Sequence, residues 1–395
     1  MYAKRLRVGD IELACEEAGS GERPFVLVHG FTGARPTRWF RTRPTVRSSR
    51  TGTSGSRPSG PTCGALVPEA LRATRLLRRL LVIAATLPLL GGACGEVDAE
   101  VRDEVLWLTG GVHTRVAWRE GGHPINGGGA AIRGFDSETS EVHTIWDRPC
   151  IKAVLAAGGH TVLVTSGDYH VWALDWDGSN RRRIAKGSVS DGWRDPVSGE
   201  DWAIYRASGK GTDGGVFRVS LADPKRKVRV WDGPEGHRVY PWLQISADGK
   251  RAASFFPYNK GGILDVEAGK VTPVTDGCWS GMASDDSYHW FRLSGDHRTL
   301  ATFRGTKRLS KATPVMPPIE GRQIYCPRAA EGPEHGGRYI ALSAGYPGYN
   351  KNGPGVEIFL GRFDPGYTKI ESWAQVTHND VPDQHPTAWV GVEAR

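Results

Sequence analysis

At 395 residues the chain has room for two ordinary domains or one large β-domain. Its formal net charge of +8 suggests a polyanion partner, but residues 1–80 hold 15 of the 51 Lys and Arg and only 6 of the 43 Asp and Glu. The remainder is close to neutral, which removes the case for nucleic acid binding by most of the chain.

The first predicted elements run from residue 1 to 36. Arg5–Cys15 alternates apolar and polar residues up to Gly19-Ser-Gly21, and an apolar run, Pro24-Phe-Val-Leu-Val-His-Gly30, follows. A strand ending in His-Gly resembles the start of an α/β-hydrolase, where the next loop supplies an oxyanion-hole N–H. The resemblance implies an oxyanion-type loop at His29, Gly30 and Phe31, with Phe31 at the donor position. No Gly-x-Ser-x-Gly follows anywhere, so the nucleophile elbow of that family is missing. The expectation is a truncated hydrolase-like fragment that lacks the rest of its sheet.

From Pro24 to Pro68 there is no Asp, Glu or Lys, and seven Arg fall between Arg35 and Arg57 among Ser, Thr, Pro and Gly. That composition reads as a disordered linker over residues 37–70, or as a GC-rich frame translated out of register. A basic nucleic-acid arm is the weakest reading, because only Trp39 and Phe40 could stack on bases.

Residues 71–95 have the order of an export signal. Leu71–Arg79 is positive, Leu80–Leu90 is apolar, and Gly91-Gly-Ala-Cys94 is small. The core is short for a membrane span. Cys94 resembles a bacterial lipoprotein cleavage site, which implies lipidation there. These features predict an exported protein, periplasmic or at the cell surface, touching a membrane only through a lipid on Cys94. A signal so far from Met1 further suggests a natural product that starts near Val67.

Beyond residue 95 no long run carries helical apolar spacing. Short runs rich in Val, Ile, Tyr, Trp and Phe alternate with Gly, Asp, Asn and Pro clusters instead. One phrase organises them: Pro241-Trp-Leu-Gln-Ile-Ser-Ala-Asp-Gly-Lys-Arg-Ala-Ala-Ser-Phe-Phe256, a strand, a turn and a strand. Degraded copies align at Gly159, Gly199, Gly249, Asp286 and Gly337, so the period is near 45 residues. Such a period with several strands per unit predicts propeller blades. Third and fourth strands follow each turn, for example Val171–Asp175 with Arg182–Ile184 and Val356–Leu360 with Trp373–Val376.

The repeats resemble the TolB-like, or PD40, class of WD40-like β-propeller repeats over residues 101–393. In that class a Ser-Pro-Asp-Gly turn follows the inner strand, and Ser246-Ala-Asp-Gly249 departs from it at one position. The expected fold is all-β: a β-propeller of six four-stranded blades, or seven if Gly305–Ile324 conceals strands. A poorly ordered N-terminal region with a short hydrophobic helix precedes it. Val105–Leu108, Val116–Trp118 and Val142–Trp146 read as strands two to four of a first blade. His385–Val390 reads as the inner strand that closes the ring and removes its exposed edges.

Candidate chemistry is sparse. Cys278 and Cys326 each precede a predicted inner strand and are candidates for a disulfide in an exported protein. Cys150 stands in a similar place. Asp285, Asp286, His289, His378, Asp383 and His385 are expected at the propeller mouth as ligand-binding residues, with Asp296 and His297 as turn formers. No metal or cofactor is expected, because no fourth ligand can be named beside His378, Asp383 and His385. Trp172, Trp202, Trp231, Trp242, Trp279, Trp290 and Trp389 recur at similar repeat positions and read as packing between blades, with a glycan platform as the second reading. The functional expectation is a binding module for a protein, peptide or glycan. A hydrolase, at the N-terminus or at the propeller mouth, is the alternative.

Overall fold

A computed structural model describes residues 3–8, 11–16, 95–121, 130–207, 215–233, 242–256, 260–314, 322–332, 336–345 and 355–391. The chain divides into two units, Met1–Leu87 and Pro88–Arg395. In the first, β1 (Ala3–Val8) and β2 (Ile11–Glu16) pair antiparallel from Ala3 opposite Glu16 to Val8 opposite Ile11. His29, Gly30, Phe31, the linker, the signal-like segment and Cys94 lie outside the described residues.

The first described element of the second unit is a helix, α1 (Gly95–Thr109). This corrects the strand expected at Val105–Leu108. Four consecutive apolar residues suit a strand or a buried helix equally. Here Val101, Val105 and Leu108 fall at i, i+4 and i+7 and are buried on one face, while Glu100, Asp103, Glu104 and Trp107 point outward.

Strands then follow in hairpins. They are β3 (Thr114–Glu120), β4 (Ala131–Asp136) and β5 (Glu141–Trp146), then β6 (Cys150–Leu155), β7 (Thr161–Ser166), β8 (His170–Asp175) and β9 (Arg182–Arg194). Next come β10 (Asp201–Ala207), β11 (Val216–Ser220), β12 (Lys227–Trp231), β13 (Gln244–Ile245), β14 (Arg251–Phe255), β15 (Lys260–Asp265) and β16 (Lys270–Asp276). The series continues through β17 (Cys278–Met282), β18 (His289–Leu293), β19 (Thr299–Arg304) and β20 (Lys307–Pro314), then β21 (Gln323–Ala329), β22 (Tyr339–Gly345), β23 (Glu357–Phe363) and β24 (Ile370–Gln375). It ends with β25 (Asp383–Val390).

Pairing groups these strands into six blades among the described residues. Blade 1 is β25-β3-β4-β5, and blades 4, 5 and 6 are β13–β16, β17–β20 and β21–β24. Blades 2 and 3 form one seven-stranded sheet because β9 serves both. Its start pairs with β8 as the outer strand of blade 2, and Gly187–Arg194 pairs with β10 as the inner strand of blade 3. The transfer occurs at Gly187, where φ is +148° and an added Cβ would sit 2.0 Å from the Arg206 carbonyl oxygen. β20 occupies part of the Gly305–Ile324 stretch, and it is the fourth strand of blade 5 rather than part of a seventh blade. β4 is the third strand of blade 1, an element that the sequence pattern does not announce.

The ring closes as expected: β25 runs antiparallel to β3 from Asp383 opposite Glu120 to Val390 opposite Thr114. Packing gives independent support. Six apolar clusters fill the six interfaces between successive blades, including the one between blades 6 and 1. On β7, Val162 and Val164 face blade 1 while Leu163 faces blade 3, so side chains on both faces of the strand are buried. That explains why such strands read as apolar runs rather than as alternation. α1 lies over the closing interface. Its Leu108 carbonyl accepts from Arg362 Nη1 at 3.0 Å, and Glu104 Oε2 accepts the Gln375 N–H at 3.2 Å.

The repeated turn has a hydrogen-bond basis. Ser246 Oγ donates to Asp248 Oδ1 at 2.7 Å and accepts the Arg251 N–H at 3.0 Å, while Asp248 Oδ1 accepts the Lys250 N–H at 3.0 Å. Ser166 with Asp168 and Ser294 with Asp296 build the same Ser-x-Asp clasp at other hairpins.

Candidate functional site

All inner strands border the central channel, and their side chains close it. Register shifts mark bulges in β17, β21 and β25, where Trp279, Cys326 and His385 take φ of 29°, 50° and 53°. After the bulge in β21, Arg328 reaches across the ring to blade 3. Its Nη1 donates to the Ser190 carbonyl at 2.8 Å and its Nη2 pairs with the Asp191 carboxylate and, at 3.4 Å, with Glu331. Asp191 Oδ2 also accepts the Ile245 N–H at 2.7 Å. The Gln244 amide donates to the Ala329 carbonyl at 3.2 Å and accepts the Ala329 N–H at 3.0 Å. Arg119 donates to the Ile151 carbonyl at 2.9 Å and to the Gln384 side chain. Lys152 Nζ sits 4.2 Å from the centre of the Trp242 ring, which stacks on His385 at 5.0 Å.

These groups leave a recess of only about 20 Å³ inside the channel. Burial, then the Arg328 charge, pushes the Lys152 amine well below its ordinary range. Burial, then the Asp191 carboxylate, pushes Glu331 well above the usual carboxylate range against the pull of Arg328.

Above this plug, on the face where the inner strands end, lies a cavity of about 440 Å³. Trp193, Trp389, Arg194, Pro196, Ile245 and Glu331 line it, together with turn residues that include Ala157, Ala247 and Ser284. Its two tryptophans hold equivalent places. Trp389, in the inner strand of blade 1, donates Nε1–H to the Ala157 carbonyl at 3.0 Å in the turn of blade 2. Trp193, in the inner strand of blade 3, donates to the Ala247 carbonyl at 2.9 Å in the turn of blade 4. Each ring rests on that turn's glycine: a Cβ added to Gly159 or Gly249 would come within 2.3 or 2.7 Å of it. The packing role expected for Trp389 is thus observed, and part of its ring also lines the cavity. Arg194 at the rim is held bidentate by Asp201, at 2.9 Å for both contacts.

The residues expected together at one mouth are separated. Asp285, Asp286 and His289 follow β17 on the cavity face: the Ala247 N–H bonds the Asp285 carbonyl at 3.1 Å, and His289 stacks on Tyr367 at 4.8 Å. His378 precedes β25 and Asp383 opens it, so both lie at the opposite end of the ring. His378 is exposed, whereas Asp383 is fully buried. His385 lies inside the channel rather than at a mouth, because the bulge of β25 turns it onto Trp242. Cys278 and Cys326 are thiols and not the expected disulfide. Cys278 begins β17, whereas Cys326 sits within β21 at a bulge that buries it.

A further cluster brings His113, Asp136 and Glu138 within 4.8 Å of one another. It is built as an ion-pair network. His113 Nε2 meets Asp136 at 2.8 Å and Nδ1 meets Glu138 at 3.2 Å, while Arg115 holds the other Asp136 oxygen at 2.8 Å. Burial works against ionisation of Asp136, yet the bonds from His113 and Arg115 prevail and lower its pKa.

Lys152, Asp191, Trp193, Arg328 and Glu331 are site residues that the sequence pattern does not single out. One signal could find Lys152, Asp191 and Arg328: a charge inside an inner strand.

No family model matches the sequence, and no curated protein matches it. The architecture is that of a six-bladed β-propeller. Among solved structures the chain is similar to TolB from Acinetobacter baumannii, at 13% identity and TM-score 0.46, over 73% of this chain and 70% of that one. It is also similar to a TolB-type protein from Agrobacterium tumefaciens, at 11% identity and TM-score 0.42, over 69% and 97%. An oligogalacturonate lyase from Vibrio parahaemolyticus shares 12% identity at TM-score 0.35, over 56% and 63%. Each likeness is one of fold.

Proposed function

We propose that this propeller is a non-catalytic binding module that receives its ligand, a protein, peptide or glycan group, in the cavity where the inner strands end. The observation that carries this reading is the plug beneath the cavity. Arg328, Asp191, Gln244 and Arg119 are engaged with one another or with backbone across the channel, so they hold the ring together instead of waiting for a substrate. A ligand therefore meets a face of the ring and not a pore. Pockets of a few hundred Å³ lined by apolar and aromatic groups with a few polar ones are the usual form of a small-ligand site.

Export completes the proposal: residues 71–95 would direct the propeller out of the cytoplasm and Cys94 would carry the lipid. Intact mass and N-terminal sequence of the bacterial product test it, since a chain that begins at Met1 and stays unlipidated contradicts export. Binding is tested by screening peptide and glycan arrays with wild type and with Ala247→Trp, whose new indole projects into the cavity from a turn. Loss of the bound class in the variant, with the ligand recovered chemically intact, is the expected result. Turnover of the ligand, or equal binding by the variant, contradicts the reading.

A further inference from the structure

Resting on that reading, we infer that the cavity takes a neutral saccharide of one or two rings, with a sugar face against Trp389 and its hydroxyl groups turned to Glu331 and Arg194. Both indole N–H groups are spent on backbone carbonyls, so Trp193 and Trp389 present hydrocarbon surface held in fixed orientation. Trp193 is 7% exposed, and Arg218 sits 5.1 Å from its ring centre, so Trp389 is the more open platform. Glycines at 158, 192 and 332 bring backbone rather than side chain to the lining.

The floor then narrows the choice. An apolar flat ligand would offer the buried Glu331 carboxyl no partner. An anionic ligand would find the nearby cations already committed: Arg194 of the lining to Asp201, and Arg328 beneath it to Asp191 and Glu331. A cation would compete with Arg328 for the same carboxylates. A neutral polyol avoids each penalty, because its C–H face suits an indole and its hydroxyls both donate and accept. Burial and the Asp191 charge favour the protonated form of Glu331, which likewise donates and accepts. Ser284 adds an acceptor, since its hydroxyl hydrogen is given to the Ala330 carbonyl at 2.7 Å.

The test is calorimetric titration of the folded full chain with cellobiose, maltose and N,N′-diacetylchitobiose. Digalacturonate, a naphthalene sulfonate dye and a proline-rich peptide serve as probes of the competing classes. The proposal expects at least one neutral disaccharide to bind, a loss of tenfold or more in Trp389→Phe and Glu331→Leu, and no change in Trp107→Ala on α1. The Trp389→Phe change keeps most of the packing, and circular dichroism of each variant checks that the fold survives. If only the dye, the peptide or digalacturonate binds, and Ala247→Trp removes it, the cavity stands as a binding site and the saccharide class falls. If no probe distinguishes wild type from Ala247→Trp, both the class and the site fall.

Discussion

Replacing Asp383 by Asn should make the propeller more stable at alkaline pH and leave it unchanged in acid. Asp383 opens β25, the strand that closes the ring, and its side chain is fully buried. One carboxyl oxygen accepts from Asn379 Nδ2 at 3.0 Å, and its Oδ1 has no hydrogen-bond partner among the described residues. Glu357 stands close by and takes the Thr377 hydroxyl at 2.6 Å and the Asn379 N–H at 3.1 Å. Burial, with the Glu357 carboxylate beside it, raises Asp383 to about 7 from its ordinary value of 3.8. The folded protein therefore binds this proton more tightly than the unfolded chain does. Stability from this group is fully present below pH ~4 and is lost as pH rises through ~7. At about 1.4 kcal/mol per pKa unit, the shift corresponds to roughly 4 kcal/mol at most, and about 2–4 kcal/mol is the expected loss. An Asn side chain mimics the protonated acid and cannot ionise. Denaturant titrations of both proteins from pH 4 to 9 should give curves that coincide near pH ~4 and part by about 2–4 kcal/mol above pH ~8, with the Asp383→Asn variant the more stable. A gap that does not change with pH, or one that opens toward acid, would refute the reasoning.

Three further outcomes follow from the same contacts. Arg328→Ala leaves Asp191 and Glu331 buried without their cation and should cost about 3–5 kcal/mol in chemical denaturation; Arg328→Met with Asp191→Leu should cost less, because it removes both charges. Gly159→Ala puts a methyl 2.3 Å from the Trp389 ring at φ +72° and should cost about 3 kcal/mol, whereas Gly199→Ala, at φ +70° with no described atom within 4 Å, should cost only about 1 kcal/mol. A similar cost at both sites would show that the Trp389 clamp is not tight. Alkylation mapped by mass spectrometry should label Cys278 in the native protein and reach Cys150 and Cys326 only on unfolding. Both latter thiols are buried, and burial pushes Cys150 up to about 12. Rapid native labelling of Cys150 would contradict that.

The ring was legible because its turns are local chemistry. Ser246-Ala-Asp-Gly249 carries its hydrogen bonds within six residues, and the positions aligned with it, from Gly159 to Gly337, fall between the first two strands of blades 2 to 6. Closure was legible for a related reason: an inner strand without a blade, read at His385–Val390, has only one partner that leaves no open edge. The misreadings came where packing decides. Val105–Leu108 is short and apolar, and only its place over the interface between blades 6 and 1 makes it helical. β4 carries Arg133 and Gly134 in Ala-Ile-Arg-Gly-Phe-Asp and lacks the aromatic-x-apolar-Asp run seen in β8.

The site was less legible because its partners are far apart in sequence and meet only across the ring. Arg328 and Asp191 are 137 residues apart, and Arg119 and Gln384 are 265 apart. No local pattern announces such a pair; each residue taken alone is a charged or polar group in a strand. Yet the mismatch itself is informative. An inner strand faces a channel too narrow for bulk water, so a charge placed there must find a partner from another blade or cost several kcal/mol. Arg328 and Asp191 stand on different blades and pair across the channel, with Glu331 beside them, which is how they satisfy one another and close it. A closed channel then confines recognition to a face. Of the two faces, the one that carries Trp193 and Trp389 joins an aromatic wall to a buried carboxyl within one cavity.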